Sequence, residues 1–315
     1  MNDDEQTSKD WGNYWQGRAA AQVGAALTGV GIENDADIEN IWKEAFRDLP
    51  KQTKILDVAC GAGSVLRHAT HMGFDNLTGV DISSSALEAL GQTLPHIKTV
   101  KSGVSKMPFT DDEFDIVTSQ FGMEYAGIKD AVGEVLRVVS PQGFFMGICH
   151  KQGGAIAKEV LGKRDDAQII LNSEFIVKAK RVFDIDMGGG SDADFTHAAK
   201  EFSQAQKDVL ALARDKKGLA AHLYSGTQAL YQRRKAYALE DIHTWLDGMD
   251  HEIRAFWGRM ESMLAAALTP ADIEVIRDIA QGRNYQLSDV QNLYLGPNKE
   301  DAGWILKITP QDRSS

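Results

Sequence analysis

Between residues 51 and 150 short apolar runs alternate with helical patterns, and after His150 the alternation stops. "KILDVAC", "LTGVDI", "IKTVKSG", "FDIVTSQF" and "GFFMGICH" read as five strands. "SVLRHATHM", "SSSALEALGQTL" and "IKDAVGEVLRVV" read as helices between them, the second opening on serine as a capped helix does. Strand and helix in strict succession build a parallel sheet with helices on both faces. From 151 to 282 the pattern is helical, broken at "DMGGGSDAD" and "LTPAD"; "YQLSDVQNLYLG" and "GWILKITP" then return as strands. The expected fold class is α/β: a doubly wound, mostly parallel, seven-stranded sheet with a large helical insertion between strands five and six. The expected organisation is a helical lead-in or lid over 1–50, a ligand-binding core over 51–150, the insertion over 151–282, and the last two strands with a tail over 283–315.

In such a sheet, ligands bind beyond the carboxyl ends of the strands. "LDVACGAGSVL" puts Asp57, Ala59, Gly61 and Gly63 at the handover from the first strand to the first helix. The two glycines let a backbone approach a ligand closely and turn with positive φ. The spacing is not the dinucleotide pattern of three glycines, because Leu66 stands where the third would be. Asp81 ends the second strand, where a carboxylate can accept hydrogen bonds from ribose hydroxyls. Two such features at adjacent strand tips point to an adenosine-containing ligand.

Composition narrows the partners. The formal net charge is −11, which repels a phosphate backbone, so no nucleic acid is expected. The dense basic cluster "RRK" at Arg233–Lys235 reads as a solvated helix face. No apolar run reaches the roughly 20 residues of a membrane span. Two cysteines, Cys60 and Cys149, form no ligand pattern or disulfide framework, and "MNDDEQTSKD" is not a signal peptide. The expectation is a cytoplasmic protein without membrane association, its first 12 residues disordered.

"LDVACGAGSVL", "GVDIS", "SGVSKMPFTDDEFDIVTSQFGMEY" and "LRVVSPQGFFMG" resemble, in order and spacing, the class I S-adenosylmethionine-dependent methyltransferases, with their Rossmann-like core. "GWILKITP" resembles the seventh, antiparallel strand of that family, and "WGNYW" resembles its aromatic lead-in, which adds Trp15 to the cofactor residues. The resemblance implies S-adenosylmethionine as cofactor and a small-molecule methyl acceptor at O, N or S. It implies that Asp57, Ala59, Gly61 and Gly63 hold the methionine part, that Asp81 takes the ribose, and that Ile82 packs on adenine. Gln120 and Phe121 would face the sulfonium and its methyl group. Where the family often has an acidic residue for the adenine amino group this chain has Val104, so either the contact passes to Ser105 or to backbone, or the pocket is less selective there.

Methyl transfer from a sulfonium needs alignment and exclusion of water more than acid–base chemistry. A base helps where the acceptor carries a proton, and the candidates are His150, Tyr125 and Glu124, followed by His222 and Tyr224. His243, Asp247 and His251 recur every four residues, but one helix face seldom builds a metal site, and no metal is expected. The insertion enters at the ligand end of the sheet, which suits an acceptor cap and equally a homodimer surface; Tyr224, Tyr231, Trp245 and Trp257 could line the cap, with core packing the reading favoured for most of them. Another S-adenosylmethionine-using transferase and a non-enzymic cofactor-binding scaffold for assembly are the alternatives, since fold does not fix function.

Overall fold

The computed structural model describes residues 36–213 and 218–311. Trp15, and with it the aromatic lead-in, lies outside the described residues. The chain divides into two compact units. Among the described residues, one contains 36–160 and 262–311, the other 161–213 and 218–261.

The first unit holds the sheet, whose strands run in the order β3-β2-β1-β4-β5-β7-β6. They are β1 Ile55–Val58, β2 Leu77–Asp81, β3 Lys98–Lys101, β4 Phe114–Gln120, β5 Val139–His150, β6 Tyr285–Leu295 and β7 Glu300–Pro310. The first five pair in parallel, and β7 is antiparallel to both β5 and β6. Every residue of β1 and β2 is buried, as expected of strands covered on both faces. The fifth strand starts earlier than the expected "GFFMGICH", because "SPQG" is part of the twelve-residue β5.

The flanking helices are α1 Ala36–Phe46, α2 Ser64–His71, α3 Ser84–Thr93 and α4 Ile128–Val138. Ser83 caps α3, its side chain accepting from the Ala86 amide. α1 buries Ile38, Trp42 and Phe46 as one stripe. β1 lies between β2 and β4, the point where strand order reverses, so the loop after β1 opens on the crevice where such sheets take ligands.

Among the described residues β5 is followed by the helices α5 Ala155–Asn172, α6 Phe175–Gly188, α7 Asp192–Leu212, α8 Gly218–Gln232 and α9 Leu239–Ala266, with a sixth before β6. Within the second unit, Phe175 of α6 meets Phe202 of α7 edge-on at 4.8 Å. Phe183 of α6 contacts Tyr231 of α8 at 5.7 Å. Gly226 of α8 makes room for Trp245 of α9, since a Cβ there would fall 2.4 Å from the indole. Arg234, from the basic cluster, pairs with Asp186 and lies over the Tyr231 ring. Tyr231 and Trp245 thus spend apolar surface on packing within this unit.

α10 Pro270–Gln281 opens on a capping box, with Thr269 and Asp272 each accepting from the other's backbone amide. Its buried residues Ile273, Ile276 and Ala280 share a core with Val132, Val135 and Leu136 of α4. The last helix of the stretch expected as insertion therefore packs with the sheet unit.

Candidate active site

The loop after β1 is shaped by backbone geometry. Ala59, Gly61 and Gly63 have φ of 52°, 53° and 84°. Ala59 is the exception among them, because a side chain in this region is strained. Gly63 precedes α2 without a side-chain cap, and the first turn of α2 carries no acidic residue. The amides of that helix end are thus left for an anionic group such as a ligand carboxylate.

Asp81 fixes the loop from the neighbouring strand. Its two carboxylate oxygens accept from the Gly61 amide at 2.9 Å and the Ser83 amide at 2.8 Å. Burial raises its affinity for a proton, and the amide hydrogen bonds oppose that. Each oxygen keeps another lone pair, so ribose hydroxyls can add to the bonds already made. Ile82 beside it is half-buried.

Asp57 stands apart from this picture. It is 1% exposed, and Thr118 Oγ1 lies 2.9 Å from its Oδ1. Burial drives its carboxyl up to about 8, the Thr118 hydrogen bond opposes this, and the charge of Asp81 adds to it. Its side chain braces β1 against β4. Cys60, next to the loop, is buried with its thiol pushed up, which makes it unreactive.

Val104, where the family often has an acid, is buried in the apolar core of the sheet unit, whereas Ser105 is exposed.

The end of β4 supplies the opposite wall. Gln120 accepts a hydrogen bond from the indole of Trp42 on α1, Nε1 to Oε1 at 2.7 Å. Sequence reading missed Trp42, since its signal was only that of a core aromatic on an amphipathic helix. Phe121 takes φ of 54°, and its amide donates to Ile148 O at 2.7 Å. Gly122 then passes the β1 loop so closely that a Cβ would fall 2.5 Å from Ala59 Cβ. The β1 loop and the β4 end are in direct contact.

All three leading base candidates meet here. Glu124 lies in a short 3-10 turn, Met123–Ala126, and its Oε1 accepts from the backbone amide of His150 at 2.9 Å. The same oxygen lies 2.7 Å from His150 Nδ1. Phe121 contacts the His150 ring at 4.7 Å, and Tyr125 stands edge-on to it at 6.0 Å.

His222 and Tyr224 lie on α8 in the other unit, where His222 packs on Trp245 at 6.0 Å. Among the described residues no three His, Cys, Asp or Glu side chains gather as metal ligands, and His243 pairs with Asp184 at 2.9 Å. No helix of the described residues is long and apolar enough to cross a membrane.

A family model, "Methyltransferase domain", matches residues 56–147, the span from β1 to β5 that carries this geometry. Residues 56–147 form a class I methyltransferase domain.

Curated relatives are similar over part of the chain. A demethylmenaquinone methyltransferase of Chlorobaculum tepidum is 31% identical over 114 residues, 34% of this chain and 47% of that protein. A ubiquinone/menaquinone biosynthesis C-methyltransferase of Roseobacter denitrificans is 29% identical over 167 residues, 46% of this chain and 66% of its own length. The chain thus spans about half the length of the first of these relatives and about two thirds of the second. Among solved structures, an S-adenosylmethionine-dependent methyltransferase from Mesorhizobium loti is similar at 24% identity and a TM-score of 0.32, over 35% of this chain and 55% of that one.

Proposed function

We propose that the protein transfers the methyl group of S-adenosylmethionine to a small-molecule acceptor. The observation that carries this reading is the pairing of the left-handed β1 loop with Asp81 through Gly61, set at the switch point of the sheet. The residues present fit the cofactor. The uncapped start of α2 suits its carboxylate, Asp81 its ribose hydroxyls, and half-buried Ile82 its adenine. Gln120 and Phe121, at the end of β4, would border the sulfonium. Asp57 acts at one remove, holding β1 in place through Thr118. When bound, the cofactor supplies an activated methyl group with a neutral leaving group. The chain supplies orientation and a site from which water is excluded.

The helical insertion closes the acceptor pocket in this proposal. Its support is where it departs: the chain leaves β5 at His150, on the ligand side of the sheet, and only then turns helical. The relatives named above act on quinone precursors, so an acceptor of similar size and a carbon acceptor atom join the O, N and S atoms considered from sequence. The formal charge of −11 supports a small acceptor over nucleic acid. A homodimer through the insertion and a cytoplasmic location belong to the same proposal.

Purification of the full chain followed by mass spectrometry of the released ligand tests the reading. S-adenosylmethionine or its demethylated product is expected, and a co-purified dinucleotide overturns it.

A further inference from the structure

The segment between β3 and β4 has no helix or strand of its own, yet it starts against Asp81. The Ser102 amide donates to the backbone carbonyl of Asp81 at 3.1 Å, and Ser102 Oγ donates to Lys106 O at 2.9 Å. Val104, Met107 and Phe109 are buried in the core of the sheet unit, while Ser105 and Lys106 are exposed. Backbone groups in such a segment have no ladder to join and need partners elsewhere.

Those partners come from one turn of α4. Glu134 Oε1 accepts from the Met107 amide at 2.6 Å. Arg137 Nη2 donates to Met107 O at 3.2 Å, and Nη1 donates to Phe109 O at 2.8 Å. The Asp112 amide donates to Arg137 O at 2.9 Å. The rest of the guanidinium is spent on carboxylates: Nε on Glu134 Oε2 at 2.8 Å, Nη2 on Glu134 Oε1 at 2.7 Å, and Nη1 on Asp111 Oδ1 at 2.8 Å. A guanidinium has five N–H donors and these bonds use them all, so Arg137 is not a cation left for a ligand. Its hydrogen bond holds the Glu134 carboxyl below the usual range, so the pair is ionic. The Asp111 side chain is 75% exposed, and its bond is worth little.

Resting on the methyl-transfer reading above, we infer that Arg137, aligned by Glu134, is a positioning residue for cofactor binding: it fixes residues 102–109 as the wall beside the adenosine half of S-adenosylmethionine and touches no ligand itself. With Val104 in place of an acidic side chain, recognition of the base falls to backbone on this wall, and backbone can hold a ligand only where it is itself held. A loose segment loses conformational freedom when a ligand binds, whereas a clamped one has already lost it. The planar fork reaches two carbonyls and a carboxylate at once, which a single ammonium cannot do.

Calorimetry on the full chain tests this with S-adenosylhomocysteine and with 5′-methylthioadenosine, which keeps the adenosine and lacks the amino-acid part. Arg137→Gln should weaken both ligands by the same factor, about tenfold, as expected when one or two hydrogen bonds are lost. Arg137→Lys keeps the charge and should weaken them as much, while Asp111→Asn should leave both within about twofold. Trypsin gives a readout that a general loss of stability would not. Cleavage after Lys106 should be faster in both Arg137 variants than in the parent, with the rest of the digest unchanged, and 5′-methylthioadenosine should slow it. If Arg137→Gln does not fold by circular dichroism, Arg137→Lys carries the test. Unchanged affinity for both ligands in a folded variant overturns the inference. So does a loss confined to S-adenosylhomocysteine, an Arg137→Lys chain that matches the parent, or a wild-type chain that binds S-adenosylhomocysteine but not 5′-methylthioadenosine. Failure of the wild-type chain to bind S-adenosylhomocysteine would instead sink the methyl-transfer reading, while cleavage at Lys106 would still report on the clamp.

Discussion

Trp42 and Gln120, 78 residues apart in sequence, are joined by a 2.7 Å hydrogen bond from indole Nε1 to amide Oε1. Trp42 is fully buried and stacks on Phe46 with centroids 5.8 Å apart, so the donor has little freedom to move. A rigid helix thereby sets the orientation of a side chain at the end of β4, beside the β1 loop. Trp42→Phe keeps the stack and removes the donor. The lost bond is worth about 0.5–1.5 kcal/mol, which predicts affinity for S-adenosylmethionine about two- to tenfold weaker in a folded protein. Calorimetry on the variant checks this; unchanged affinity would mean that Gln120 needs no such support.

Asp57 predicts a pH dependence. Its carboxyl is pushed up to about 8 in the fold, against 3.8 in the free residue. Between those values the folded chain keeps a proton that the unfolded chain has lost, so stability falls as pH rises through that window. The slope for one such group reaches about 1.4 kcal/mol per pH unit. Asp57→Asn cannot titrate, so the Tm of the parent should fall relative to this variant between pH 5 and pH 8. Parallel curves would show that Asp57 is ionised in the fold.

Gly122→Ala places a methyl group 2.5 Å from Ala59 Cβ and 3.0 Å from Ala59 O. Backbone must shift, and the shift falls on the cofactor loop. Loss of cofactor affinity by about tenfold is expected, larger than the change in thermal stability would suggest. Denaturation and calorimetry on one preparation separate the two effects.

Much of the sheet was readable because its strands are unusually uniform. "ILDV" and "LTGVD" are buried along their whole length, and burial on both faces leaves a continuous apolar run. The glycine loop and Asp81 were readable because backbone shape and strand-tip position follow from chain order. Pairings across the sheet were not. Asp57 with Thr118, Trp42 with Gln120, and Glu124 with His150 join residues 61, 78 and 26 positions apart. Residue type named Glu124 and His150 as candidates, but only packing shows one orienting the other. The break read at "LTPAD" is where α10 begins, capped by Thr269; its placement on the sheet depends on α4, which periodicity does not disclose.

Asp81 does more than wait for a ligand. It is 8% exposed and holds two backbone amides, so Asp81→Ala should lower stability by about 1–3 kcal/mol in addition to weakening the cofactor. A sequence view of this carboxylate as a free strand-tip group predicts no such loss. Urea denaturation of the variant distinguishes them.

The central claim is that the β1 loop and Asp81 form an S-adenosylmethionine site, and isothermal calorimetry on the full chain tests it most directly. S-adenosylmethionine and S-adenosylhomocysteine should each bind one per chain, and Asp81→Ala should weaken both by about ten- to a hundredfold, the worth of a charge-assisted hydrogen bond. NAD should give no heat of binding. Equal binding of NAD, or undiminished affinity in folded Asp81→Ala, would contradict the account.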